Sequence, residues 1–400
     1  MNSMAGLSKK WNPDFLKQMS HQTDPECENI IGDIAKNQDF SSLRELFKSL
    51  NSNEETALNK NLPKSVIEYF NSNNHLPEWA DEKKIKIAQD VFAQYGPEIA
   101  LILNYKALPL CYSCKNGAKV LASTGRLSSQ GEDTTKMMRR LLETSQMVIN
   151  VMSEGGLSPN GAGIITVKKV RLYHAAIRYF LLNTHKGMEP WNTEYYGLPI
   201  NQEEMAGTLM AFSALVINGL TQVGLQLTKE QKDAYMHTWN IVGYYIGLSP
   251  NLYPSSFEEG WELGIAIIKR NQEESEDGKF LVSSLVKNSQ EYFFKGMLLN
   301  KIPEYLISFF IEDVSKAINV DLTKVIGLNE HLNFFEKLEG KLLLESMEIV
   351  NEIEDHVPVV RKLLSKNSTK HLQNLIQLHL QVNKVEFYIP DSLKANWNMN

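Results

Sequence analysis

Three cysteines in 400 residues, Cys27, Cys111 and Cys114, are too few for a disulfide scaffold, and three cannot all pair. A reducing, cytoplasmic setting is expected. A basic surplus is also missing: Lys plus Arg is 41 against 47 for Asp plus Glu, a formal charge of −6. Neutralising phosphates requires clustered Lys and Arg, so no nucleic-acid partner is expected. Long apolar runs are few. The longest uncharged run, Met205–Thr228, contains Thr208, Ser213, Asn218, Thr221, Gln222 and Gln226 and reads as a buried core helix, not a transmembrane segment. Residues 1–20 carry Lys9, Lys10, Asp14 and Lys17 and have no apolar core of signal-peptide length. Period-2 alternation is scarce, and Lys384–Ile389 is the only late strand candidate.

What remains is helical. In Thr134–Met152, Met137, Leu141, Thr144, Val148 and Met152 recur at spacings of three and four, with Asp133 as N-cap. A breaker cluster follows from Gly155 to Gly163 and reads as a connection, since it lacks the Gly-Lys-Ser/Thr of a phosphate loop. The next helix is expected over Thr166–Asn183, and others over Asp81–Phe92, Gln202–Leu227, Lys229–Ile246 and Ser256–Lys269. Lys269–Lys279, with seven charged residues in eleven, reads as a solvated loop. Amphipathic stretches follow at Phe334–Ile353 and Val359–His379. The expected class is all-α: one large helical domain with flanking helices. Residues 1–75 form an N-terminal polar helical flank, 76–268 the functional core, and 280–400 a C-terminal helical region packed on it.

Val170–Phe180 (VRLYHAAIRYF) is the most informative segment. Arg171, His174 and Arg178 share one side of a helix with Val170, Ile177 and Leu181. Burying unpaired charge is costly, so two arginines bordering an apolar stripe need a reason. One reason is a haem, apolar across its face, offering iron to an imidazole and two carboxylates to arginines. The other is a core histidine with two snorkelling arginines. Arg140 and Thr144, an i,i+4 pair on the preceding helix, either offer polar donors over an apolar strip or are a rim arginine and a back-bonded threonine. Cys111 and Cys114 form a Cys-x-x-Cys without the four ligands of a zinc site, which favours free thiols. His237 and Trp239 fit the edge of a pocket or a packed aromatic helix equally well.

Five blocks in order carry a resemblance: Leu108–Leu127 (LPLCYSCKNGAKVLASTGRL), Arg140–Thr144 (RLLET), Val170–Arg178 (VRLYHAAIR), Leu198–Phe212 (LPINQEEMAGTLMAF) and Tyr235–Gly247 (YMHTWNIVGYYIG). Together they resemble the rubber-oxygenase and mycophenolic-acid-B oxygenase family, which includes the latex-clearing proteins. The resemblance implies an all-helical fold around a non-covalent haem b. His174 matches the iron ligand, Arg140 and Thr144 match distal polar residues, and Arg171 and Arg178 flank the ligand as candidate propionate partners. The family uses dioxygen on carbon–carbon double bonds of isoprenoid chains. In the latex-clearing branch a lysine stands where this chain has Glu143, and a glutamate where it has Thr124.

The expectation is therefore a haem-dependent oxygenase acting with dioxygen on an unsaturated, hydrophobic, isoprenoid-like small molecule. Glu143, His237 and Trp239 complete the expected cofactor surroundings. Two rivals come from other classes: a haem-binding sensor or carrier without turnover, and a helical interaction protein with an apolar pocket and no cofactor. A Soret band and oxygen consumption separate the three.

Overall fold

The structure, a computed structural model, describes residues 9–36, 62–123, 135–183, 190–292 and 301–328. The expected helices Phe334–Ile353 and Val359–His379, the strand Lys384–Ile389, the Asp133 cap and Thr124 lie outside them. Among the described residues no strand forms, and one isolated bridge joins Cys114 to Gln272. The large helical domain expected from the periodicity is present.

The elements in chain order are α1 (Pro13–Met19), α2 (Pro25–Lys36), α3 (Lys64–Asn71), α4 (Glu82–Ile102), a π-helical turn (Leu103–Ala107), α5 (Leu108–Ser113), α6 (Lys115–Ser123), α7 (Thr135–Met152), α8 (Ala162–Leu182) and the short α9 (Thr193–Tyr196). Then follow α10 (Gln202–Phe212), α11 (Ala214–Gln222), α12 (Lys229–Ile246), α13 (Phe257–Asn271), α14 (Glu276–Tyr292), α15 (Ile302–Ile318) and α16 (Leu322–Val325). Local chemistry sets many ends. Asp81 caps α4 by accepting from the amides of Lys83 and Lys84. Thr228 and Gln231 form a reciprocal capping box on α12, which stops at Gly247 in the left-handed region, φ 82°.

Three expectations need correction. The helix expected over Asp81–Phe92 continues to Ile102, kinked at Tyr95 just before Pro97, which removes a backbone donor. The apolar stretch from Gln202 is two helices, broken at Ser213, and lies mostly inside the protein, as a core helix does. The charged run Lys269–Lys279 is largely helical. Lys269 and Arg270 end α13 and Glu276 and Asp277 begin α14, each sign at the helix end whose dipole favours it.

The main core draws apolar residues from Trp11 to Ile326, centred on α4 packed along α12, with α10, α11 and α13 beside them. A second core lies between α2, α3 and α8, built from Ile31, Val66, Phe70, Leu172, Ala176 and Phe180. Helix α8 belongs to both cores, so its orientation is fixed on two sides. Its remaining flank carries the polar residues of interest.

Candidate functional site

Helices α7 and α8 form an antiparallel hairpin. The bond from Asn150 Nδ2 to Thr166 Oγ1, 2.9 Å, sets its register. Counting back along α7 and forward along α8, His174 comes level with position 142, midway between Arg140 and Thr144. At about 100° per residue, positions 140 and 144 turn roughly 80–120° away from the bonded pair, and 174 and 178 turn by similar angles. Because the helices are antiparallel, those turns lead to the same flank. The backbone therefore brings together on one side of the hairpin the four residues that the sequence singled out. Glu143 does not join them. It is 4% exposed and, by the same count, turns about 20° from the bonded pair, toward α8.

The hairpin is pinned at its elbow. A Cβ on Gly163 would lie 2.7 Å from Gly156 O, 2.8 Å from Asn150 O and 2.8 Å from Val151 Cα. The Gly-rich stretch is thus a helix-crossing point as well as a connection.

Neither arginine of α8 snorkels. Arg171 donates from Nε and Nη2 to the two oxygens of Asp24, both at 2.7 Å, and from Nη2 to Glu26, 2.8 Å. It lines a cleft of about 370 Å³ with Lys168, Gln202, Tyr244 and Tyr253. Arg178, 1% exposed, donates from Nε to Glu28, 2.6 Å, and from Nη1 to Ile200 O, 2.9 Å. Its Nη2 is buried with no partner. The carboxylates that the sequence reading sought in a cofactor are supplied to Arg171 in full, and to Arg178 in part, by the start of α2.

Helices α5 and α10 carry further buried titratable groups. Cys111 and Cys114 are free and keep some accessible surface, yet burial pushes the Cys111 thiol up to about 12 and that of Cys114 higher still. Burial, with the charge of Glu203 adding to it, likewise pushes the Glu204 carboxyl up to about 8. Its neighbour Glu203 is fully engaged by Arg270, 2.7 and 2.8 Å, and Asn271, 2.8 Å. Leu141, Met147 and Phe212 add partly accessible apolar surface.

The two expected cofactor residues on α12, His237 and Trp239, each have a protein partner. The Nε2 of His237 accepts from the amide of Asp81, 2.8 Å, and its ring meets the edge of Trp79. Burial, aided by Lys84, holds its pKa below the ordinary imidazole value, so it stays a neutral acceptor at the start of α4. Trp239 is core, stacked on Phe212 at 5.1 Å. Sequence reasoning missed Glu204. The signal available was its place three residues after the N-cap Asn201, whose Oδ1 accepts from the Glu204 amide, 2.9 Å.

Residues 109–306 match the family described as ER-bound oxygenase mpaB/B'/Rubber oxygenase, catalytic domain. Through this domain the chain belongs to the rubber oxygenase and MpaB-like family, a family of oxygenase enzymes. Among individual proteins, the rubber oxygenase of Streptomyces sp. (strain K30) is 22% identical over 260 residues. That match covers 64% of this chain and 59% of the Streptomyces protein. The solved structure of latex clearing protein LCP in the closed state superposes with a TM-score of 0.66 at 17% identity. It covers 93% of this chain and 95% of that one, and so shares the fold.

Proposed function

We propose that this protein is a haem b-dependent oxygenase that uses dioxygen on an unsaturated, hydrophobic small molecule. The observation that carries the reading is the register set by Asn150 and Thr166, which puts His174 level with Arg140 and Thr144 on one flank of the hairpin. The donor set fits a haem. Leu141, Met147 and Phe212 offer partly buried apolar surface, and Arg178 keeps one buried N–H edge without a protein partner for a carboxylate. His174 would hold the iron, and Arg178 would hold a propionate. Haem, when bound, supplies the iron redox chemistry that dioxygen use requires.

The chain's own residues do the rest. Thr144 and Arg140 would be the donors available to negative charge arising on the bound oxidant or substrate. The apolar wall takes up the alkene and excludes water. Glu143, being buried at 4% exposed, is not assigned a role as an iron ligand. Three free cysteines support a reducing, cytoplasmic setting.

The test is His174→Ala. The variant is expected to keep its helical circular dichroism and lose most of its Soret absorbance. Full haem retention with an unchanged iron-ligand spectrum refutes the assignment. Oxygen consumption with candidate alkenes then separates an oxygenase from a carrier.

A further inference from the structure

Two buried polar atoms on either side of Ile200 lack protein partners: Nη2 of Arg178 on α8 and Oε1 of Glu204 on α10. Their surroundings differ from those of ordinary surface groups. Arg178 has spent its other two edges on Glu28 and Ile200 O, so its last N–H edge has a fixed direction. Glu204 stands at the third position of α10, where the amides of Ile200 and Asn201 stabilise its charged form and burial opposes it. Ile200 bridges the two groups, its carbonyl accepting from Arg178 Nη1 at 2.9 Å and its amide donating to the Glu204 carboxyl, yet no hydrogen bond joins Arg178 to Glu204 directly. A group placed between them must accept from the guanidinium and from the carboxylic acid. A carboxylate does both with its two oxygens, and charge-assisted hydrogen bonds of this kind are the strong ones.

We propose that Arg178 and Glu204 form a carboxylate clamp, with Arg178 Nη2 donating to one oxygen of a bound carboxylate and the Glu204 hydroxyl donating to the other. Glu204 works here as a neutral acid. Its pKa, pushed up to about 8, keeps it protonated near neutral pH, and an anion between it and Arg178 favours that state further. The charged groups facing it are Arg178 and Glu203, and Glu203 is neutralised by Arg270. The carboxylate has two possible sources, a propionate of the cofactor or the head group of an amphipathic unsaturated substrate. The first source rests on the haem reading above; the second does not.

The experiment uses the full chain prepared without haem. It is titrated with haem b and with haem dimethyl ester, followed by absorbance, and with oleate and oleyl alcohol, followed by calorimetry. Glu204→Ala is expected to weaken one carboxylate ligand by roughly tenfold while its ester or alcohol counterpart stays within about twofold. Glu204→Gln, which keeps a donor, is expected to stay within about threefold of wild type. A loss confined to haem b assigns the clamp to the cofactor, and a loss confined to oleate assigns it to the substrate. Infrared difference spectra near neutral pH should show a protonated-carboxyl stretch that Glu204→Gln removes. Unchanged binding of both carboxylates in Glu204→Ala, or absence of that stretch, overturns the clamp. Haem bound through His174 with neither ligand sensitive to Glu204 leaves the haem reading standing and the clamp refuted. Glu204-dependent oleate binding by a protein that takes no haem does the reverse.

Discussion

Gly163→Ala tests whether the α7–α8 crossing sets the geometry of the site. The added methyl meets three backbone atoms at 2.7–2.8 Å, and none can rotate away as a side-chain end would. Ordinary van der Waals contact begins near 3.4 Å, so the helices must part by roughly 0.6 Å at the crossing. Overpacking of this kind costs about 1–3 kcal/mol, and backbone obstruction puts this case at about 2 kcal/mol or above. For a domain of this size that lowers Tm by roughly 2–4 °C. His174 lies eleven residues along α8, about 16 Å from the crossing. A change of angle at the elbow is therefore carried to His174 without touching any residue there. Thermal unfolding followed by circular dichroism reads the first effect, and haem stoichiometry at fixed protein concentration reads the second. A variant within about 0.5 kcal/mol of wild type and with full haem content would show that the elbow does not fix the hairpin.

Arg140→Ala is expected to keep the haem and lower turnover by roughly 100-fold, the scale for losing one charge-stabilising donor, with steady-state oxygen uptake as the measure. Lys106, fully buried on the π-helical turn, donates to Gln222 Oε1, Phe310 O and Asp313 Oδ1 at 2.7, 2.7 and 2.9 Å. Lys106→Ala is expected to cost about 3 kcal/mol, the lower end for breaking a buried pair because the Asp313 side chain stays 28% exposed. Burial lowers the folded pKa of Lys106 from 10.5 to about 8, so between those values the unfolded chain binds more protons and this residue's contribution rises with pH. The urea-unfolding gap between wild type and variant should therefore widen from about pH 8 to pH 10, and a gap that narrows contradicts the assignment. Cys111 and Cys114, with thiols pushed far up, should alkylate at least about 100-fold more slowly in the native protein than in urea near pH 8; equal rates would place them outside the interior.

The helices that carry the site were legible because their apolar period is strict. Lys229–Ile246 is observed with the bounds read from sequence, and Thr135–Met152 differs by one residue. Helix α8 begins a turn earlier than expected because Gly161 serves as its N-cap and the following glycine approaches α7, a role that composition cannot show. What the sequence withheld were partners distant along the chain. Asp81, which occupies His237, is 156 residues away, and Asp24, which occupies Arg171, is 147 away. Periodicity reports which face a residue is on and is silent about who waits opposite. Glu204 was hidden differently. A glutamate near a helix start looks like ordinary dipole compensation until its depth in the fold is known.

The acidic start of α2 has a consequence for how far the site's structural unit extends. Asp24, Glu26 and Glu28 lie more than eighty residues before the family-matched segment, which opens at residue 109, yet they neutralise two guanidiniums at its centre. A fragment cut to the matched segment would retain both cations and lose all three of these anions. The unit recognised by similarity is thus smaller than the unit that is electrically complete, and truncations should be drawn by charge balance across the α2–α8 contact.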